Sequence, residues 1–257
     1  MTAVSAPILE ITGITKKFGG LTALSDVSFA IPEGAIYGLI GPNGAGKTTL
    51  FALMSGFLRP DSGRVLFKGQ DITGQAPHIN AKNGMARTFQ IVQPFAAQTV
   101  LDNIAVGAHL HLAKRSHALA LAADVAHKVG LGALINQPAG ELTVAGRKRL
   151  ELARALATQS QLLLLDEVLA GLNPHEIDEM IPVVRGIAQS GVTVLMIEHV
   201  MRAVMNLAQQ VWVLSQGQLI ASGTPGEVTS NVSVIEAYLG SGAAAALHGQ
   251  APVSRAP

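Results

Sequence analysis

The sequence predicts an α/β fold in which a parallel sheet core carries an antiparallel β subdomain and an α-helical subdomain. Three observations predict it. Gly41-Pro42-Asn43-Gly44-Ala45-Gly46-Lys47-Thr48 fits the pattern G-x-x-x-x-G-K-S/T between an apolar run, Ala35 to Ile40, and an apolar helical stretch from Thr49. Two further apolar runs, Gln161 to Leu165 and Val192 to Ile197, end in Asp166-Glu167 and Glu198-His199. Buried parallel strands look like this, with ligands gathering at their C-terminal ends. Residues from about Thr99 to Gly130 are dominated by alanine and leucine, as in a helical subdomain.

The elements follow in order. Ile8 to Ile11 begins a strand that Gly13 is expected to interrupt, and Lys16 to Gly20 reads as a turn. Leu24 to Ile31 alternates like a half-buried strand, and Pro32-Glu33-Gly34 turns it into the buried strand Ala35 to Ile40. A helix is predicted from Lys47 to Ser55, a short strand from Arg64 to Lys68, and a turn at Gly69-Gln70-Asp71. Met85 to Gln90 reads as a strand ending in glutamine, before a break at Pro94 and the helical region from Thr99 to Gly130. Thr143 is a plausible N-cap for the next helix, whose basic run Arg147 to Arg149 reads first as a solvated face, with nucleotide or partner contact as the alternative. Asn173-Pro174-His175-Glu176 combines an N-cap, a first-turn proline and a capping glutamate, so a helix starts there, with a kink expected at Pro182. Helices from Val200 to Gln209 and Val232 to Leu239 flank a hairpin at Ser215-Gln216-Gly217. Residues 241–257 read as a disordered tail.

The glycine loop carries the chemistry. Bare backbone N–H groups approach phosphate oxygens only where side chains are absent or φ is positive, which Gly41, Gly44 and Gly46 supply. The helix behind adds its dipole. Lys47 reaches the β- and γ-phosphates as a point charge and the Thr48 hydroxyl ligates Mg²⁺, with Pro42, Asn43, Ala45 and Thr49 completing the cradle. A ligand-free turn at a helix start is the plainer alternative.

Composition removes other classes. The 257 residues suffice for one large domain or one domain with a sub-lobe. Hydrophobic content of 49% against 14% charged implies either a large core or an apolar surface that meets a partner. No uninterrupted apolar run approaches the roughly 18 residues of a membrane span. With no cysteine there are no disulfides or thiolate metal sites, which fits a reducing compartment. A net charge of +1 and 4% aromatic residues give neither the basic field nor the stacking platform of a nucleic-acid binder. The N-terminus lacks the features of a secretion signal. His109, His111, His117 and His127 fall in the predicted helical stretch, but His109 and His111 are two apart and cannot share a helix face, so surface or core roles are expected rather than metal ligation.

Three strands thus deliver the phosphate loop, Asp166-Glu167 and His199 to one crevice. In a nucleotide hydrolase Asp166 holds Mg²⁺ with Thr48, Glu167 polarises the attacking water, and His199 senses or stabilises the γ-phosphate. A satisfied core histidine is the plain alternative for His199 alone.

With these residues in hand, residues 8–240 resemble the ATP-binding subunits of ABC transporters, in that family's motif order. The resemblance implies a P-loop NTPase core of RecA-like form and a helical subdomain at about residues 91–157. Phe18 resembles the aromatic that stacks on adenine, and Gln90 the glutamine that contacts Mg²⁺ and reports to the permease. The phrases Ala86-Arg87-Thr88-Phe89-Gln90, Ala170-Gly171-Leu172-Asn173-Pro174, Ile197-Glu198-His199 and Glu236-Ala237-Tyr238-Leu239-Gly240 are similar to the branched-chain amino acid importer subfamily. That likeness implies ATP and Mg²⁺ as cofactors and a peripheral place on the cytoplasmic face of the inner membrane. It implies as partners two permeases, a second ATPase in a homo- or heterodimer, and an extracytoplasmic solute-binding protein. The cargo it implies is a branched-chain amino acid or a related amide, urea or carboxylate.

One departure stands out. The family's signature, usually Leu-Ser-Gly-Gly-Gln, reads here Leu142-Thr143-Val144-Ala145-Gly146, and Asn173 replaces an aspartate. Thr143 keeps a hydroxyl, while Val144 places a β-branched side chain where glycine lets N–H groups approach the partner's γ-phosphate. Either the helix still presents its N-terminus to phosphate, or one site of an asymmetric pair is weak. An ATP-binding regulatory or structural subunit with little hydrolysis is the alternative function. A soluble ABC ATPase of DNA repair or translation is disfavoured, since the chain has neither a second ATPase module nor a long heptad insertion.

Overall fold

The computed structural model describes residues 6–90 and 93–240. The predicted tail at 241–257 lies outside them. In chain order the elements are β1 (Leu9–Phe18), β2 (Leu21–Ile31), β3 (Ile36–Ile40), α1 (Lys47–Met54), β4 (Ser62–Phe67), β5 (Gln70–Asp71), α2 (Pro77–Lys82), β6 (Met85–Arg87), α3 (Val100–Ala108) and α4 (Arg115–Lys128). Then follow α5 (Val144–Leu156), β7 (Leu162–Asp166), α6 (Pro174–Gln189), β8 (Thr193–Ile197), α7 (Met201–Leu207), β9 (Gln210–Ser215), β10 (Gln218–Gly223), α8 (Pro225–Ser230) and α9 (Val232–Leu239).

Two sheets result, one four-stranded in the order β2-β1-β4-β5 and one six-stranded in the order β10-β9-β3-β8-β7-β6. The first is antiparallel. In the second, β9, β3, β8, β7 and β6 pair in parallel, and β10 returns antiparallel beside β9. Helices cover one face of the parallel sheet, and α1 with the antiparallel sheet covers the other, which explains its unbroken apolar runs. Along β7, Leu163 and Leu165 pack into the core shared with α3, α4, α5 and α6, while Leu162 and Leu164 face the core shared with α1 and the antiparallel sheet. Val194 and Met196 alternate with Leu195 and Ile197 in the same way on β8. Each such leucine or isoleucine contributes about 1.5–3 kcal/mol by burial, so a register slip in these strands forfeits several of them at once.

Five expectations need correction. Gly13 does not interrupt β1: with φ 64° it sits in a bulge where pairing to β2 shifts between Ile11 and Ile14, and the strand continues. Lys16 to Phe18 is strand rather than turn, paired with Leu24, Thr22 and Leu21, because the turn needs only Gly19-Gly20. Gln70-Asp71 forms a two-residue strand against Leu66 and Phe67. The strand before Gln90 stops at Arg87, since β6 has only β7 to pair with and runs out at Leu164. Finally, the stretch from Thr99 to Gly130 is two helices. Thr99 caps α3, which ends at Ala108, so His109 and His111 lie in the connection to α4 and only His117 and His127 are helical. α2 and α8, six residues each, are too short to leave a periodic signal.

Other boundaries agree. Thr143 caps α5 by accepting from the Gly146 N–H, and Asn173 with Glu176 closes a full capping box on α6, which continues through Pro182. Among the described residues, no helix is long and apolar enough to cross a membrane.

Candidate nucleotide site

β3 delivers the glycine loop and α1 receives it. A side chain at Gly41 would run into the carbonyl oxygen of Leu214, and Gly46 (φ 103°) has the Ala23 carbonyl 2.7 Å from where its Cβ would stand. No side chain caps α1 and no acidic residue sits in its first turn, so the N–H groups at its start are left for an anion. Lys47 Nζ donates to the Gly41 carbonyl at 2.7 Å and to the Pro42 carbonyl at 3.0 Å. Burial lowers its pKa, while the charges of Glu167 and Asp166 oppose that shift.

A cavity of about 520 Å³ opens over this loop. Asn43, Gly44, Ala45, Gly46, Lys47, Thr48 and Thr49 form its floor, and Phe18, Leu21, Gln216, Gly217 and Glu167 its walls. Phe18 is 47% exposed, with Lys16 Nζ 5.5 Å from its ring centroid. A large exposed aromatic in the wall of this cavity offers a face for a heterocycle to stack on.

Three of the residues at and beyond the strand ends come together, and Asp166 does not join them. Glu167 lies one residue beyond β7 at φ 50°, its N–H held by the Ile197 carbonyl at 3.0 Å. That unusual backbone for a non-glycine turns the carboxylate toward the cavity. Gln90 Nε2 donates to Glu167 Oε2 at 2.8 Å, and His199 Nδ1 stands 3.9 Å from Glu167 Oε1. Gln90, Glu167 and His199 therefore form one cluster. Asp166 is turned otherwise: its Oδ2 accepts from Arg87 Nη2 at 2.7 Å, and both side chains are buried. Among the described residues no group of three or more His, Cys, Asp or Glu is arranged to hold a metal. The oxygens available from Thr48, Asp166 and Gln90 nevertheless fit Mg²⁺, which takes hard oxygen donors and commonly binds through one or two carboxylates plus substrate phosphates.

Thr143, Val144, Ala145 and Gly146 are not brought to this cavity. Thr143 caps α5 and Val144, 55% exposed, opens it at the surface, whereas Ala145 is half-buried and Gly146 buried. The solvated-face reading of Arg147 to Arg149 holds for the exposed Arg147, and is corrected for Lys148, which the packing of α5 buries, and for the half-buried Arg149. Lys148, 7% exposed, donates from Nζ to the carbonyls of Gln90 and Glu167, each at 3.2 Å. Arg147 Nε bonds the Leu142 carbonyl, and Arg149 bonds the Val129 carbonyl and Glu179.

Sequence reasoning missed Arg87, Lys148 and Glu198. Glu198 is 1% exposed and accepts from the Leu169 N–H at 3.0 Å through Oε1, while Oε2 has no hydrogen-bond partner. Burial pushes its carboxyl up to about 7, opposed chiefly by the Leu169 hydrogen bond. Its place at the end of an apolar run was the available signal. Tyr238 on α9 is raised by burial and opposed by a hydrogen bond to the Gly41 backbone, which brings the C-terminal helix to the glycine loop.

A second concavity, a groove of about 340 Å³, runs between the core and the helical region, lined by Phe57, Arg87, Phe89, Val106, Glu151 and Arg154 among others. Phe57 and Phe89 meet edge to face at 5.4 Å and are 50% and 43% exposed. The apolar composition is therefore met both by a large core and by this exposed patch.

Residues 24–170 match the family described as ABC transporter, and residues 218–244 match the one described as branched-chain amino acid ATP-binding cassette transporter. The chain is 39% identical to the high-affinity branched-chain amino acid transport ATP-binding protein BraF of Pseudomonas aeruginosa, covering 92% of this chain and 99% of that one. It is 38% identical to LivG of Escherichia coli at the same coverages. Among solved structures, a nucleotide-free ATP-binding cassette from an ABC transporter superposes with a TM-score of 0.83 at 33% identity, over 91% of this chain and 99% of that one. The ADP conformation of such a cassette also gives 0.83 at 33% identity, over 92% and 100%.

Proposed function

Because the chain belongs to the ABC transporter family of ATP-binding proteins, and is thereby an ATPase of a membrane transporter, we propose that it energises uptake of branched-chain amino acids from the cytoplasmic face of the membrane. The observation that carries the hydrolytic role is the placement of Glu167, held by Gln90 and facing His199, in the wall of the cavity over the glycine loop. The match at residues 218–244 and the likeness to BraF and LivG support the cargo.

In this reading the N–H groups at the uncapped start of α1 and the Lys47 ammonium bind the ATP phosphates, and Phe18 stacks on adenine. Thr48, Asp166 and Gln90 hold Mg²⁺, which when bound neutralises charge on the phosphate oxygens. Glu167 Oε1 or Oε2 takes the proton of the attacking water, and His199 donates to the γ-phosphate side. Thr143 to Gly146 present the start of α5 to the nucleotide of a second ATPase subunit, in a homo- or heterodimer. Thr143 keeps the helix capped despite the bulk of Val144, which supports a face that still functions. The groove between Phe57, Phe89 and Arg154 receives a segment of each permease, adjoining Gln90 and Lys148 on its catalytic side. A solute-binding protein on the other side of the membrane delivers the cargo.

The experiment is reconstitution with the permeases and binding protein in vesicles, measuring ATP turnover with leucine, isoleucine or valine. Stimulation by these amino acids is the expected result. Stimulation only by an amide, urea or carboxylate reassigns the cargo, and no stimulation by any solute refutes the importer reading.

A further inference from the structure

Arg87 lines the groove and has no part in the nucleotide site described above, yet it is paired with Asp166, the neighbour of the cavity-wall residue Glu167. It ends β6, and its Nη2 holds Asp166 Oδ2 at 2.7 Å with side chains only 8% and 4% exposed. Its Nη1 reaches Ser55 Oγ at a weak 3.4 Å, and its Nε has no hydrogen-bond partner. Hydrogen bonds therefore fix only one edge of the guanidinium. Phenyl rings supply the rest: the Arg87 Cζ lies 5.8 Å from the centroid of Phe51, 5.8 Å from that of Phe57 and 5.5 Å from that of Phe89. Three rings within cation–π range compensate the charge that burial takes from water. Two of them, Phe57 and Phe89, are exposed walls of the groove.

We propose that Arg87 is the counter-ion that sets how tightly Asp166 takes a divalent cation, and that the groove rings hold it to that position. The inference rests on the reading of Asp166 as a metal-holding carboxylate. One positive neighbour occupies Oδ2 and repels a dication approaching the other oxygen, so the pair and the metal compete for the same charge. Because Phe57 and Phe89 support the guanidinium from the groove, whatever packs on those rings changes how firmly Arg87 competes. Arg87 is thus a positioning residue, with the groove on one side and the metal carboxylate on the other.

The test measures Mn²⁺ binding to the purified chain with ADP, by electron paramagnetic resonance, which needs no turnover. Arg87→Met is expected to tighten Mn²⁺ roughly tenfold, and Arg87→Lys, which keeps the charge, to stay within about threefold of the parent. The double change Phe57→Leu, Phe89→Leu should tighten it in the same direction by about two- to fivefold, and add nothing when Arg87 is already Met. Unchanged or weaker binding in Arg87→Met overturns the proposal, as does a ring effect that adds in full to it. Should Arg87→Met not fold, the ring variant alone decides, and Mn²⁺ affinity equal to the parent's is then fatal. Failure of the parent to bind Mn²⁺ with ADP, or equal binding by Asp166→Asn, sinks the metal reading itself rather than the role of Arg87 alone.

Discussion

Glu167→Gln separates catalysis from binding, and the structure sets its size. The substitution keeps shape, and Gln tolerates the φ of 50° about as well as Glu does. The backbone bond to Ile197 does not involve the side chain, and the new amide oxygen still accepts from Gln90. Folding should therefore change by less than about 1 kcal/mol. What disappears is the proton acceptor in the cavity wall. General-base catalysis contributes roughly 10²- to 10⁴-fold, which is about 3–5 kcal/mol of barrier. The assay pairs steady-state ATP turnover of the transporter complex with nucleotide binding and thermal melting of the isolated chain. Turnover should fall at least a hundredfold, in line with that range, while the Kd for ATP moves by less than about threefold. Unchanged turnover refutes the assignment of Glu167 as base. A fall in melting temperature that parallels the loss refutes the claim that only chemistry was removed.

Glu198→Gln should stabilise the chain at high pH. A carboxyl whose folded pKa is raised to about 7 binds its proton more tightly when folded, so its ionisation destabilises the fold as pH rises from the unfolded value of 4.5 through 7. The penalty is absent below 4.5 and complete above 7, at most about 3 kcal/mol. Melts at pH 5 and pH 8 should show the variant gaining only at the higher pH, and equal gains at both would contradict this. Phe18→Ala should weaken ATP binding by about 1–3 kcal/mol, or 5- to 150-fold, with melting unchanged because the ring is half exposed. Binding that tolerates the change means that adenine stacks elsewhere. Gly41→Ala should abolish nucleotide binding and lower stability by about 1–3 kcal/mol or more, since a Cβ meets the Leu214 carbonyl; calorimetric ATP titration that finds normal affinity would show the loop free to move aside.

How much of this was legible in the chain depends on the range of the interaction. The glycine loop, the apolar strands and the caps at Thr143 and Asn173 are local: residue types at fixed spacing dictate a turn, a buried run or a helix start. Such features place the glycine loop, Glu167 and His199 beyond strand ends, and the crevice follows from parallel topology. Errors arose where pairing with a distant strand overrode a local signal, as at Gly13, where glycine reads as a breaker but serves a bulge between β1 and β2. The split between α3 and α4 has no local signal, because alanine and leucine suit a helix everywhere and neither glycine nor proline marks residues 109–114.

By itself, then, the sequence determined the phosphate loop, the order of strands and helices that build a nucleotide-binding core, and the identity of the strand-end residues. Tertiary structure alone decided which charges are spent on one another. Asp166 pairs with Arg87, 79 residues away, and Lys148 leaves a basic run that looked solvated to bond the backbones of Gln90 and Glu167. Spacing cannot reveal such pairs, because burial in a shared low-dielectric interior, not proximity along the chain, determines which partner a charge must find.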